Sequence, residues 1–92
     1  MNKSQLVEVL AKEENLTIKA AEDVVKTVFR EMEKALVRGG RVEIRGFGSF
    51  KIKQYDSYDG RNPKTGKVIK VKSKKLPFFK VGRELKERVD ST

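Results

Sequence analysis

Gly60-Arg61-Asn62-Pro63-Lys64-Thr65-Gly66 separates two stretches of mixed polar and apolar residues. Glycine, asparagine and proline at this density mark a turn. Ahead of it, alternation runs from Ser49 through Phe50 and Ile52 to Tyr58; behind it, Val68, Ile69 and Val71 stand among five lysines between Lys67 and Lys75. Period-two patterning on both sides of a turn predicts a β-hairpin. Between Lys53 and Gly66 the only strongly apolar side chains are Tyr55 and Tyr58. Such a segment builds no core, and an isolated two-stranded ribbon is marginal in water. The hairpin reads as a flexible arm that becomes ordered on a ligand.

Working outward, Arg41-Val42-Glu43-Ile44-Arg45 alternates as a half-buried strand, and Gly46-Phe47-Gly48 makes a tight turn. That turn is not the start of a phosphate-binding GxGxxG loop, since the sixth position is Lys51. Leu76-Pro77-Phe78-Phe79 returns to apolar character, and a short helix follows Gly82 from Arg83 to Val89. Upstream, Asn2 and Gln5 have capping-box spacing before a helix from Lys3 to about Glu14. Thr17 caps a second helix whose apolar face holds Ala21, Val24, Val25, Val28, Phe29, Met32, Ala35 and Leu36, and Gly39-Gly40 ends it. The expectation is an α+β chain of one domain, 1–92. Residues 1–40 form an N-terminal helical hairpin, 41–81 a three-stranded antiparallel sheet with a long protruding β-ribbon arm at about 53–75, and 82–92 a C-terminal helix.

Charge points to the partner. The chain carries 22 Lys and Arg against 13 acids, formally +9. Residues 1–40 hold seven bases and seven acids, whereas 41–75 hold eleven bases and three acids. An asymmetry of this kind favours a polyanion, most commonly nucleic acid. The neutral helical hairpin is therefore read as core and dimer interface, not as a helix-turn-helix DNA reader, whose recognition helix carries excess base. A chain of 92 residues with a projecting arm has little interior, which also favours oligomerisation.

Other classes recede. Without Cys or His there is no disulfide, thiolate metal site, thiol nucleophile or imidazole base. Asp56 and Asp59, three apart on an expected strand, point to opposite faces and make a poor acid/base pair. No enzyme activity, cofactor, metal or small-molecule substrate is expected. Neither a signal-peptide core nor a membrane-spanning stretch is present, so an intracellular protein with no membrane partner is expected.

Gly46-Phe47-Gly48-Ser49-Phe50, the 60–66 tip, Pro77 with Phe79, and Gly82-Arg83-Glu84-Leu85-Lys86 together resemble the HU/integration host factor family of bacterial histone-like proteins. The resemblance runs the whole chain without gaps. It implies an intertwined dimer, two arms lying in the DNA minor groove, and Pro63 wedged between base pairs to kink the duplex. By the same resemblance Arg61, Asn62 and Lys64 sit beside Pro63, and Phe47, Phe50 and Phe79 form an aromatic core. Lys3, Arg45, Lys53, Lys70, Lys72, Lys74, Lys75, Lys80, Arg83 and Lys86 are expected to meet DNA phosphates. Family members usually carry bases at the positions of Tyr55 and Tyr58, so this arm is less cationic than usual. The aspartates at 56 and 59 could pair with lysines of the returning strand, or the tyrosines could pack on sugar edges.

The implied function is a cytoplasmic, nucleoid-associated architectural protein that binds duplex DNA with little sequence specificity, bends it and compacts it. It would act as a homodimer, with a heterodimer also open. The alternatives are a sequence-preferring bending factor like integration host factor, and an RNA-binding basic protein.

Overall fold

The computed structural model describes residues 1–91. Thr92, the last residue of the expected C-terminal segment, lies outside the described residues. The chain forms two compact units, the first covering Met1–Arg38 and the second the chain from Gly39 onward.

The first unit is a helical hairpin, α1 (Lys3–Glu13) and α2 (Ile18–Val37). The capping box is complete: Asn2 Oδ1 accepts from the Gln5 backbone N–H at 2.9 Å, and Gln5 Oε1 accepts from the Asn2 N–H at 2.9 Å. Thr17 Oγ1 accepts from the Ala20 N–H at 3.1 Å and starts α2. Caps of this kind are worth about 1 kcal/mol each. Asn15 makes the reversal between the helices with φ 51°, a left-handed conformation that asparagine tolerates. Val7, Ala11, Ala21 and Val25 are buried, with Leu6 and Leu10 packed against them. Two alanines among four core residues let the helices approach closely. On the surface Lys26 Nζ lies 2.7 Å from Glu22 Oε1, and this hydrogen bond and charge hold the Glu22 carboxyl below its ordinary pKa.

The apolar face of α2 is wider than α1 covers. Val28 is 51% exposed and Phe29 52%.

The second unit contains β1 (Val42–Ile44), β2 (Gly48–Tyr55), β3 (Tyr58–Arg61), β4 (Val68–Val71), β5 (Lys74–Val81) and α3 (Arg83–Asp90). Strands β1, β2 and β5 form an antiparallel sheet in the order β1-β2-β5, and β3 pairs with β4 in a separate ribbon. As an edge strand, β5 can hold Pro77 opposite Ile52 without breaking an inner ladder. None of this unit's hydrophobic side chains is buried among the described residues.

Here the structure departs from the sequence reading. The expected outgoing strand, continuous to Tyr58, is interrupted at Asp56-Ser57, and the returning strand at Lys72-Ser73. The frame nevertheless holds. Tyr55 faces Lys74, and three residues on along each strand Tyr58 faces Val71. Both strands lose pairing over the same two residues, with no bulge. The interruption falls where Asp56, Ser57 and Ser73 supply polar side chains that compete for backbone groups and pack poorly on a pleated surface.

Candidate nucleic-acid interface

Successive side chains along a strand point to opposite faces. The β2–β5 register therefore gathers Phe50, Ile52, Pro77, Phe79 and Val81 on one face, and Lys51, Lys53, Tyr55, Lys74, Leu76, Phe78 and Lys80 on the other. Contacts agree with this division. The Phe79 ring centroid lies 4.7 Å from that of Phe50 and 5.7 Å from that of Phe47. On the second face Lys53 Nζ lies 4.0 Å from the Phe78 ring centroid, and Lys74 Nζ 5.9 Å from that of Tyr55. One side of the ladder is aromatic and the other basic.

The β3–β4 ribbon repeats the division more weakly. Tyr58, Gly60, Ile69 and Val71 share one side, and Asp59, Arg61, Val68 and Lys70 the other. Gly60 leaves space that the Tyr58 ring and Val71 methyl border, so these two help cover it. Asp59 faces Lys70 in register, yet neither Asp56 nor Asp59 forms an ion pair among the described residues.

Beyond the ribbon the tip folds on itself. The Asn62 N–H donates to the Lys67 carbonyl at 2.9 Å, and the Gly66 N–H to the Asn62 carbonyl at 2.8 Å. Asn62 Oδ1 accepts from the Lys64 N–H at 2.9 Å, bridging over Pro63. Gly66 closes the turn with φ 69°. Pro63, with no N–H to satisfy, sits exposed between these bonds.

A second basic corner arises where α3 begins. Gly82 has no side chain to cap the helix, and backbone carbonyls take over. The Gly82 N–H donates to the Phe47 carbonyl at 2.8 Å and the Leu85 N–H to the Gly46 carbonyl at 3.1 Å. These bonds tie residues 46–47 to 82–85, so Arg45, Arg83 and Lys86 come from one corner of the unit. Arg83 Nε is held 3.0 Å from Glu87 Oε1 and must leave that partner to meet a phosphate.

Of the expected DNA contacts, Lys53, Lys74 and Lys80 share the basic face, and Arg61 and Lys70 share one side of the ribbon. Arg61, Asn62, Pro63 and Lys64 are brought together at the tip. Lys72 falls in the interruption, and Lys3 belongs to the helical unit. Lys75 lies on the opposite face from Lys74, beside Gln54. Lys51, on the basic face, and Lys67, at the foot of the tip, were not among the expected contacts. Alternation from Lys53 pointed to Lys51.

A family model described as bacterial DNA-binding protein matches residues 1–90. The chain belongs to the HU/integration host factor family. It is 47% identical over 91 residues to integration host factor subunit beta of Mannheimia succiniciproducens, covering 98% of this chain and 97% of that protein. It is 46% identical to the same subunit of Halorhodospira halophila, covering all of this chain and 91% of that one. Among solved structures, Anabaena HU from a cocrystal with DNA superposes with a TM-score of 0.87 at 32% identity, covering both chains fully. HU from Thermotoga maritima gives 0.68 at 29% identity, covering 97% of this chain and 98% of that one. This HU-type chain is thus a bacterial DNA-binding architectural protein, and none of its described helices is long and apolar enough to cross a membrane.

Proposed function

We propose that the protein binds duplex DNA through the minor groove as a dimer, and that Pro63 at each arm tip wedges between base pairs and bends the duplex. The observation that carries this reading is the two-faced β2–β5 ladder, continued in frame by a ribbon whose tip exposes Pro63. A basic face suits phosphates, and an aromatic face with no buried hydrophobic side chain among the described residues suits a second copy of the chain. Unstacking a base step costs a few kcal/mol, and bending a site by 40–90° costs on the order of 1–6 kcal/mol. Phosphate contacts along the flanks must offset both. Lys51, Lys53, Lys74 and Lys80, on the basic face, supply charges for them. The protein is a binder rather than an enzyme, a reading supported by a sequence without His or Cys. Its setting is the bacterial nucleoid.

Binding to a roughly 35-base-pair duplex labelled at both ends, followed by anisotropy and energy transfer across a salt titration, tests the mechanism. The expected result is steeply salt-dependent binding that brings the ends together, with less approach for Pro63→Ala. Binding without bending, or a Pro63→Ala protein that bends DNA as wild type does, would reduce the arm to an electrostatic clamp.

The relatives named integration host factor subunit beta favour a second reading, in which the chain prefers particular sequences and pairs with a different subunit. Competition between random DNA and a site selected from a random pool separates the two. A purified homodimer that discriminates by less than about tenfold supports the first.

A further inference from the structure

We propose that Phe78 and Tyr55 are positioning residues that hold the Lys53 and Lys74 ammonium groups on the basic face, ordered before DNA arrives. The proposal rests on the DNA-binding reading above and deepens it. A lysine charge rides on a flexible four-carbon stem, and ordering that stem on binding weakens the contact. The negative face of an aromatic ring attracts a cation and restrains it. Lys53 Nζ lies 4.0 Å from the Phe78 centroid, the geometry of a close cation–π pair, and Lys74 Nζ lies 5.9 Å from Tyr55, directly across the strands.

Two further observations give the rings this task. Neither belongs to the Phe47–Phe50–Phe79 cluster, and both lie on the opposite face of the ladder. Packing within that cluster explains neither. Among the described residues, neither Lys53 nor Lys74 has a carboxylate partner. A carboxylate would also restrain a lysine, as Glu87 restrains Arg83, but it would cancel the charge that a phosphate needs. An aromatic ring restrains the cation and leaves its charge intact.

The test is a double-mutant cycle on duplex binding by the full chain across a salt titration. Phe78→Leu is expected to weaken binding about two- to fivefold per site at every salt concentration. The slope against salt should not change, because no phosphate contact is lost. Lys53→Gln should weaken binding and lower the slope by about 0.9 per lost contact. The double variant should bind like Lys53→Gln alone, and Phe78→Tyr like wild type. Tyr55→Leu with Lys74→Gln repeats the cycle at the second pair, independently of how the 78 variants fold. Wild-type affinity in both ring variants, or losses that multiply in both double variants, would overturn the proposal. A wild-type protein that ignores duplex DNA or salt would instead remove the reading beneath it.

Discussion

Gly46 and Gly48, two positions apart in one turn, answer differently to the same added methyl group. At Gly46 a Cβ would meet Glu84 Oε2 at 2.7 Å, the end of a flexible side chain that can swing away, and the remaining penalty is the positive φ of 82°. At Gly48 it would meet Phe79 Cζ at 2.5 Å and the Lys80 carbonyl at 2.6 Å, a packed ring and a ladder strand. Gly46→Ala should cost about 1–2 kcal/mol, and Gly48→Ala more, about 3 kcal/mol or above. Urea unfolding of both variants checks the order, and a Gly48→Ala protein as stable as wild type would contradict the close approach. At the tip, Asn62 was expected beside Pro63 in the groove, and the structure also makes it the acceptor that shapes the turn. Reading the turn was possible from Asn-Pro-Lys; knowing which Asn62 atom is used required coordinates. Lys74-Lys75 carries a further local signal, since adjacent strand residues point to opposite faces.

Among the elements, both helices with their caps, the turn at 46–48 and the two stretches flanking the tip were legible because caps, glycines and periodicity are local signals. The interruption was not. Alternation in Gln54-Tyr55-Asp56-Ser57-Tyr58 carries straight through it, and only the paired geometry shows both strands releasing each other together. Amides at 56–57 and 72–73 should therefore exchange with solvent faster than those at 50–54 and at 75, 76, 78 and 79. Equal protection measured by hydrogen exchange would mean that the ladder is continuous in solution. The ribbon's unpaired acid has a separate effect. Asp59 sits on the same side as Arg61 and Lys70 and repels the phosphates they would meet. Asp59→Asn should tighten duplex binding by about two- to fivefold at low salt, an advantage that shrinks as salt screens it.

For the whole molecule, the burial pattern is lopsided. Four residues of the helical unit form the buried core, the sheet unit has no buried hydrophobic side chain among those described, and both Phe29 and Phe79 remain partly exposed. A second copy that covers these faces makes folding and association one event, so the melting temperature should rise with protein concentration. Calorimetry over a hundredfold concentration range tests this, and a constant melting temperature with a monomer in sedimentation would rule out obligate pairing. The expectation of a dimer was readable from chain length and helix pattern; the extent of the uncovered sheet was not, because alternation does not say what lies over an apolar face. The unbroken frame from Gly48 opposite Val81 to Arg61 opposite Val68 also bears on inheritance. Deleting one codon within β2 would slide every later residue of that strand by one place and exchange its aromatic and basic faces. Loss of two codons from each strand, at facing positions, would shorten the arm and leave both the pairing and the faces intact. Arm length in descendants of this gene should therefore change by two facing residues per strand at a time, or at the tip, where no register is at stake.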